Sequence, residues 1–488
     1  MPSATVRCPE FPAGVTWINA TRPLSVAEDL RGRVAILDFW TYCCINCMHV
    51  LPVLKRIEER FADDPVVVIG VHSAKFISEK DPENIRRAVR RHGVVHPVVV
   101  DPDHDIWERF AVRAWPTLVL IDAAGYVRES LSGETEEEPL ARAVEALLKE
   151  GRARGILAPD ALRVALDPET DRTFLRFPGK VHVAGDRLFV ADSGHNRIVI
   201  ASLEGKVRGI VGEGGTGAQD GPAAHASFQN PQGLAVLGDR LFVADTGNHL
   251  IRAVDLKTLE VTTIAGTGEK GSGQGHYEPE RPRSVPLRSP WGLLAVGAHL
   301  LIAMAGSHQI WVYDPEGNRI GPWAGSGRED HVDGTLQDAA FAQPSGLARA
   351  GKLLMVADSE VSSVRAVDLD EGQVRTIVGR GLFDFGDRDG APEEVLLQHP
   401  LDVAVDTNVL YVADTYNNKI KAISFGSMET RTVLGDGRPE AMHEPAGIAV
   451  VPAGPGAPGA VLIADTNNHR ILRGDPATGA LEELPVRA

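Results

Sequence analysis

Cysteine is scarce in this chain, with four among 488 residues, at positions 8, 43, 44 and 47. No disulfide framework can staple the chain beyond them, so the cores there must hold by burial alone. Basic residues are outnumbered, 50 Lys and Arg against 66 Asp and Glu, for a formal charge of −16. With no basic block to set against that charge, nucleic acid is not expected as a partner. No apolar run approaches the ~20 residues of a membrane helix, and the stretch from Met1 to Cys8 lacks the charged and then apolar pattern of a leader. These absences describe a soluble, cytoplasmic protein with no membrane partner. The length, with a hydrophobic content of 43%, calls for two or three domains with cores of their own.

In a reducing compartment, cysteines gathered in one stretch serve catalysis, redox sensing or metal binding. The stretch is Trp40-Thr41-Tyr42-Cys43-Cys44-Ile45-Asn46-Cys47. It follows the apolar run from Val34 to Phe39 and precedes Val50, Leu51, Leu54, Ile57 and Phe61, which recur at helical spacing. The cysteines thus sit where a strand turns into a helix, and the unpaired N–H groups and positive dipole end of a first helical turn stabilise an anion. A thiol there ionises more readily, and thiolate is the species that attacks disulfides. Cys44 is the candidate nucleophile. Cys47, one turn further in and more buried, is the candidate resolving thiol, which attacks the mixed disulfide formed at Cys44. Cys43 is an accessory thiol; two adjacent thiols beside a third permit alternative pairings, of which a vicinal bridge is strained. Structural zinc wants a fourth ligand at suitable spacing, and His49 points elsewhere on the helix, so no metal site is expected.

Residues 17–148 alternate strand-like and helix-like runs, as in a three-layer α/β domain with a mainly parallel sheet. Strands are expected at Val34–Trp40, Val66–His72, Val95–Val100, Thr117–Asp122 and Tyr126–Leu131. Helices are expected at Cys44–Phe61, Pro82–His92, Asp105–Phe110 and Pro139–Glu150. Gly, Pro and charged residues break the pattern over 151–172, which reads as a linker with one short helix. The first domain is then 1–150 and the second 173–488.

Leu24-Ser25, Leu30 to Arg33, Asp38-Phe39-Trp40, Cys44 with Cys47, Pro52, and Ala114-Trp115-Pro116-Thr117 together resemble the thioredoxin superfamily, above all its thiol-disulfide oxidoreductases and peroxiredoxin-like members. The resemblance implies that Pro116 is a cis-proline facing the cysteines, and that Trp115, Pro116 and Thr117 line the groove for an extended substrate peptide. It also implies that Asp38 is the buried carboxylate that moves the proton at the resolving cysteine. Buried carboxylates have raised pKa values, which suits an acceptor working near neutral pH. Ile45-Asn46 stand between the cysteines where the family commonly has Gly-Pro, so its redox poise does not carry over. The lysine that often partners the aspartate has no match, Gly70 lying roughly where it would fall.

Beyond the linker the sequence repeats itself. Asp192, Asp245, Met304, Asp358, Asp414 and Asp465 hold one position of a unit such as Val243-Ala244-Asp245-Thr246-Gly247-Asn248-His249. Their spacings of 53, 59, 54, 56 and 51 residues mark a repeat fold. A Pro-x-Gly turn precedes most units, as at Pro231-Gln232-Gly233, and a short strand ending in glycine follows, as from Thr263 to Gly266. Four short strands per unit, six times over, make a six-bladed all-β propeller. The unit resembles the NHL repeat, from which the third and fourth depart through Met304 and Glu360-Val361-Ser362. The recurrent aspartates are expected to bond the backbone of their turns rather than to bind calcium or catalyse. The histidines after the turns, His195, His249, His308 and His469, are expected as solvated loop residues rather than a metal-binding ring. The loops around Asp220, Asp333 and Asp389 read equally as a binding surface or as filler. Gly212 to Gly217 fits a dinucleotide fingerprint, but no helix comes after it, and it reads as an inter-blade loop.

Together these features predict a thiol-disulfide oxidoreductase that acts on protein or peptide disulfides without a cofactor, and whose propeller face recruits a protein partner or client. Two other classes stay open: a non-catalytic scaffold in which both domains dock partners, and a metal-dependent propeller enzyme.

Overall fold

The computed structural model describes residues 6–162, 166, 173–272, 278–453 and 459–487. The chain divides into two compact units, Met1–Asp171 and Arg172–Ala488.

The first unit is built on β3 (Val34–Trp40), which comes after the short strands β1 (Val6–Arg7) and β2 (Trp17–Ile18) and is buried along its whole length. The chain continues through α1 (Ile45–Arg60), β4 (Val66–Ser73), α2 (Pro82–Arg91), β5 (Val98–Asp101) and α3 (Asp105–Arg109). It ends in a hairpin, β6 (Thr117–Ile121) and β7 (Tyr126–Ser132), and α4 (Glu137–Ala153). The strand order is β1-β7-β6-β3-β4-β5-β2. β4 runs parallel to β3, and β5 to β4, but β6 lies antiparallel on the other side of β3, and β7, β1 and β2 are antiparallel to their neighbours. The sheet is therefore mixed, not mainly parallel as expected: α1 and α2 carry the chain across so that β4 and β5 lie parallel, while the short turn from Asp122 to Tyr126 can pair β6 with β7 only antiparallel.

Alternation along β3 sends Ala35, Leu37 and Phe39 into a core shared with α3, and Val34 and Ile36 into one shared with α1 and α4. By the same parity Asp38 and Trp40 face α1. The acids in the first turn of α4 tie it to α1, Glu137 to Arg56 at 2.6 Å and Glu138 to Arg60 at 2.9 Å. Pro52 sits inside α1, which runs on through it. Part of the expected linker belongs to this unit. α4 continues to Ala153, Leu157 and Leu162 pack onto the two cores, and the Ala158 N–H donates to the Gly32 carbonyl at 2.7 Å. Most of the stretch 163–172 lies outside the described residues. Cys8 is a packing residue buried in the first core, where desolvation pushes its thiol up to about 12.

The second unit is a six-bladed propeller. Its sheets span residues 181–211, 231–265, 290–324, 344–378, 402–434 and 445–484, each a meander of four strands hydrogen-bonded in chain order. The fourth carries one extra strand, Gly334–Thr335. The innermost strands of all six line a central channel.

Three sets of hydrogen bonds repeat around the ring. In the first, a carboxylate oxygen of Asp192, Asp245, Asp358, Asp414 and Asp465 accepts the N–H of Arg176, Gln229, Ala342, Gln398 and His443 respectively, at 2.6–2.8 Å. In the second, the hydroxyl of the next residue crosses to the following blade: Ser193, Thr246, Ser359, Thr415 and Thr466 donate to the carbonyls of Pro231, Pro290, Pro400, Pro445 and Pro178. In the third, a left-handed residue ends each turn, with φ between +49° and +58°. Its side chain accepts an N–H from the following blade: Asn196 from Asn230, His249 from Ser289, His308 from Gln343, Ser362 from His399, Asn418 from Glu444, and His469 from Phe177. The aspartates thus hold backbone, but the histidines depart from expectation. His249, His308 and His469 are inter-blade acceptors rather than solvated loop residues, and His195 pairs with Asp192 at 3.0 Å.

The loops at Asp220, Asp333 and Asp389 are braces. Each aspartate pairs with a cation, Arg252 at 2.7 Å, Arg365 at 2.8 Å and Lys421 at 3.0 Å, and accepts the N–H of Thr263, Thr376 or Thr432.

Candidate active site

β3 delivers the cysteine run at the end of the sheet, and α1 begins directly after it, with Cys44 as the N-cap residue (φ −81°, ψ 117°). The Cys44 carbonyl accepts the Met48 N–H at 3.1 Å, and the Cys44 N–H reaches back to Thr41 O at 3.4 Å. All four cysteines are free thiols. Cys44 is 7% exposed, whereas Cys43 and Cys47 are at zero. Burial, and after it the hydrogen bond with Cys44 and the charge of Cys44, push the Cys47 thiol well above its ordinary value; a hydrogen bond with the Thr41 backbone works the other way.

Asp38 lies on the α1 side of β3, fully buried, and neither carboxylate oxygen has a hydrogen-bond partner among the described residues. Desolvation pushes it up to about 7, and the charge of His96 opposes that rise. It stands close enough to Cys47 that its own charge adds to the rise of that thiol.

Cys43 is turned inward. Its Sγ lies 3.7 Å from the Thr41 hydroxyl, and its N–H donates to Glu79 Oε1 at 3.0 Å. Glu79 is a participant that sequence reasoning missed. It is fully buried in the connection between β4 and α2, and its other oxygen accepts the N–H groups of Lys75 and Phe76, both at 2.9 Å. One carboxylate thereby fixes both the β4 exit and the loop that carries the cysteines.

The peptide bond between Trp115 and Pro116 is cis. Thr117 pairs in register with Phe39, which sets Pro116 at the same end of the sheet as the cysteine run. Trp115 is half-buried; its indole N–H donates to Ser73 O at 3.0 Å and its ring packs on Trp107 at 4.6 Å. The Thr117 side chain is committed inward, its hydroxyl donating to Ala114 O at 2.8 Å and meeting the Ser132 hydroxyl at 3.1 Å. His49, the residue weighed as a metal ligand, is held by Glu134 at 2.6 Å. Among the described residues, no group of three or more His, Cys, Asp and Glu is arranged to hold a metal ion, and no helix is long and apolar enough to cross a membrane.

A thioredoxin-like family model matches residues 32–127, and the NHL repeat model matches residues 228–253 and 397–423. The class that fold and site define is thus a thioredoxin-like domain followed by an NHL-repeat propeller. The chain is 39% identical to human NHL repeat-containing protein 2, over 98% of its own length and 71% of that protein. It belongs to the NHL repeat-containing protein 2 family. It is also 41% identical to the Arabidopsis thaliana protein SUPPRESSOR OF QUENCHING 1, chloroplastic, over 98% of this chain and 47% of that one. The first unit alone is 24% identical to the Bacillus subtilis thiol-disulfide oxidoreductase YkuV, over 29% of this chain and 94% of that protein.

Proposed function

We propose that the first unit is a thiol-disulfide oxidoreductase acting on protein or peptide disulfides in the cytoplasm, by dithiol exchange, and that the propeller recruits the client or a protein partner. The observation that carries this reading is the gradient of access: Cys44 keeps 7% exposure at a helix start, Cys47 is sealed at zero behind it, and an unpaired carboxyl lies on the same side of the sheet. Cys44 attacks one sulfur of the substrate disulfide, and the other leaves as thiolate. Cys47 gives its proton to Asp38 and attacks Cys44, so that the remaining substrate sulfur departs and a Cys44–Cys47 bond forms. Pro116 and Trp115 frame the substrate strand, and Thr117 holds their loop. Cys43, bonded inward, stays out of the exchange. The kinship with a protein named as a thiol-disulfide oxidoreductase supports the same chemistry. Cys47→Ser is expected to accumulate mixed disulfides between Cys44 and client proteins, seen as reductant-sensitive complexes on non-reducing gels. The double variant with Cys44→Ser should show none, and complexes that persist in it would contradict the assignment.

A further inference from the structure

A row of buried polar groups lies on the sheet face that holds Asp38. Both oxygens of Asp38, Nε1 of Trp40, both ring nitrogens of His72 and Nε2 of His96 lack a hydrogen-bond partner among the described residues, and all four residues are buried. Buried polar atoms are nearly always bonded, so several unpaired ones gathered together call for a role. Gly70 lets them meet. It pairs in register with Asp38, as His72 does with Trp40. Because it has no side chain, its neighbours close over it: a Cβ there would lie 2.9 Å from Trp40 Nε1, 3.1 Å from Val98 Cγ2 and 3.5 Å from His96 Nε2. His96, in the loop before β5, thus reaches over Gly70 toward the strand position of Asp38. Its Nδ1 lies 3.3 Å from Glu58 Oε2, and Glu58, on the outer part of α1, is partly open to solvent.

We infer that His96 is a positioning residue for the resolving step, which connects the carboxyl of Asp38 to the surface through Glu58. The inference rests on the oxidoreductase reading above. The Glu58 carboxylate accepts the Nδ1 proton of neutral His96, which leaves Nε2 as the bare nitrogen over Gly70. When Cys47 attacks Cys44, its proton passes to Asp38. The bond between Cys44 and the substrate sulfur breaks, the Cys44–Cys47 bond forms, and the substrate sulfur leaves with the electron pair as thiolate, to be protonated by water. Asp38 and His96 are not hydrogen-bonded to each other at rest; once protonated, the Asp38 carboxyl turns to the bare Nε2 of His96 and returns the proton there, and the Nδ1 proton moves to Glu58 and on to solvent. The substrate disulfide is the oxidant, so the electrons balance without a further reagent. Cys47 from α1 and His72 from β4 are also titratable groups on this face, both fully buried, and Cys44 lies against Cys47. Burial pushes His72 down to about 3, so it stays neutral through the cycle. The positive form of His96 lowers the proton affinity of Asp38 against the effect of burial, and its loss therefore moves the appearance of the carboxylate to higher pH.

The test uses the full chain and oxidised glutathione, with formation of the mixed disulfide at Cys44 and its resolution by Cys47 followed as separate phases across about pH 5 to 9. His96→Gln should leave the first phase at its wild-type rate, slow resolution at neutral pH by about tenfold or more, and move the acid limb of its pH profile upward by about one unit. Glu58→Gln, a change at a partly exposed position that tests the relay even where His96→Gln does not fold, should move the limb the same way by less. A wild-type profile for resolution in every variant that folds would overturn the inference and reduce His96 to packing. A wild-type protein that forms the mixed disulfide but never resolves it would instead overturn the oxidoreductase reading.

Discussion

Asp38 places a carboxyl group where a sheet and a helix would otherwise meet in a dry core, and burial pushes it up to about 7 from the ~3.9 of an unfolded chain. The folded state then binds this proton more tightly than the unfolded state does. The contribution to stability is fully present below about pH 4, is lost as pH rises to about 7, and stays lost above. The penalty at the alkaline end is at most about 4 kcal/mol. Asp38→Asn is expected to raise the melting temperature of the first unit more at about pH 8 than at about pH 4, while slowing resolution by a hundredfold or more (~10² to 10⁴). Calorimetry across that range checks it, and an equal gain at both ends would contradict the titration. Cys44 and Cys47 are legible in the sequence because they fall where a strand turns into a helix, and Asp38 through the resemblance of that strand to the thioredoxin pattern. Glu79 is not. Its role depends on three N–H groups, one of them 36 residues away, and nothing in Ser78-Glu79-Lys80 separates a buried acid from a surface one. His96 is hidden for the same reason, since it comes over Gly70, the residue in register with Asp38, from a loop more than fifty residues further on in the chain.

Within the propeller blades, the repeated aspartate faces a cation. In the second, fourth and fifth blades this is Arg252 at 2.8 Å, Arg365 at 3.1 Å and Lys421 at 3.5 Å, each on the next strand. The first and sixth use Arg197 at 2.8 Å and Arg470 at 2.7 Å. In the third blade Met304 and Trp311 stand where the aspartate and the cation would be, and both enter the core shared with the second. Such an exchange is often neutral, because a buried ion pair must offset the desolvation of two charges. Met304 is therefore half of a matched replacement rather than a lost site. Ala305 differs, since it removes the hydroxyl that elsewhere crosses to the next blade. Ala305→Ser should restore a bond to the Pro344 carbonyl and stabilise the propeller by about 0.5–1.5 kcal/mol, read as a higher denaturation midpoint; an unchanged or lower midpoint would contradict the inter-blade role. The period and the blade count are legible in the sequence, because each unit carries its own strands and turns. The partners of the crossing bonds are not, since they lie in another repeat, 34 to 40 residues on in the cases of Asn196, Ser193 and His249. A signal was present: Asn, His or Ser at the left-handed position always supplies a side-chain acceptor.

Over the whole chain, each unit has its own way of holding its ends. The propeller closes where the sixth blade meets the first, through Thr466 to Pro178 and His469 to Phe177. Lys180 and Asp402 replace the glycine of the Pro-x-Gly turn in the first and fifth blades and pair at 3.0 Å, both buried. Asp402 also accepts the Ile448 N–H at 3.0 Å, so the pair reaches from the fifth blade past the sixth to the first. Lys180→Met leaves a carboxylate buried without its partner and should cost the propeller about 3–5 kcal/mol, with most of the loss recovered on adding Asp402→Leu. Denaturant titration checks both, and a single variant as stable as the wild type would contradict a ring-closing clamp. Whether the molecule exchanges disulfides at all is decided most directly by equilibrating the full chain in thiol-disulfide buffers, trapping free thiols and mapping them by mass spectrometry. A reversible Cys44–Cys47 bond is predicted, with Cys8 and Cys43 remaining free and a potential between about −270 and −120 mV, the span of thioredoxin-like exchangers. No Cys44–Cys47 bond in that window, or oxidation confined to Cys43, would contradict it.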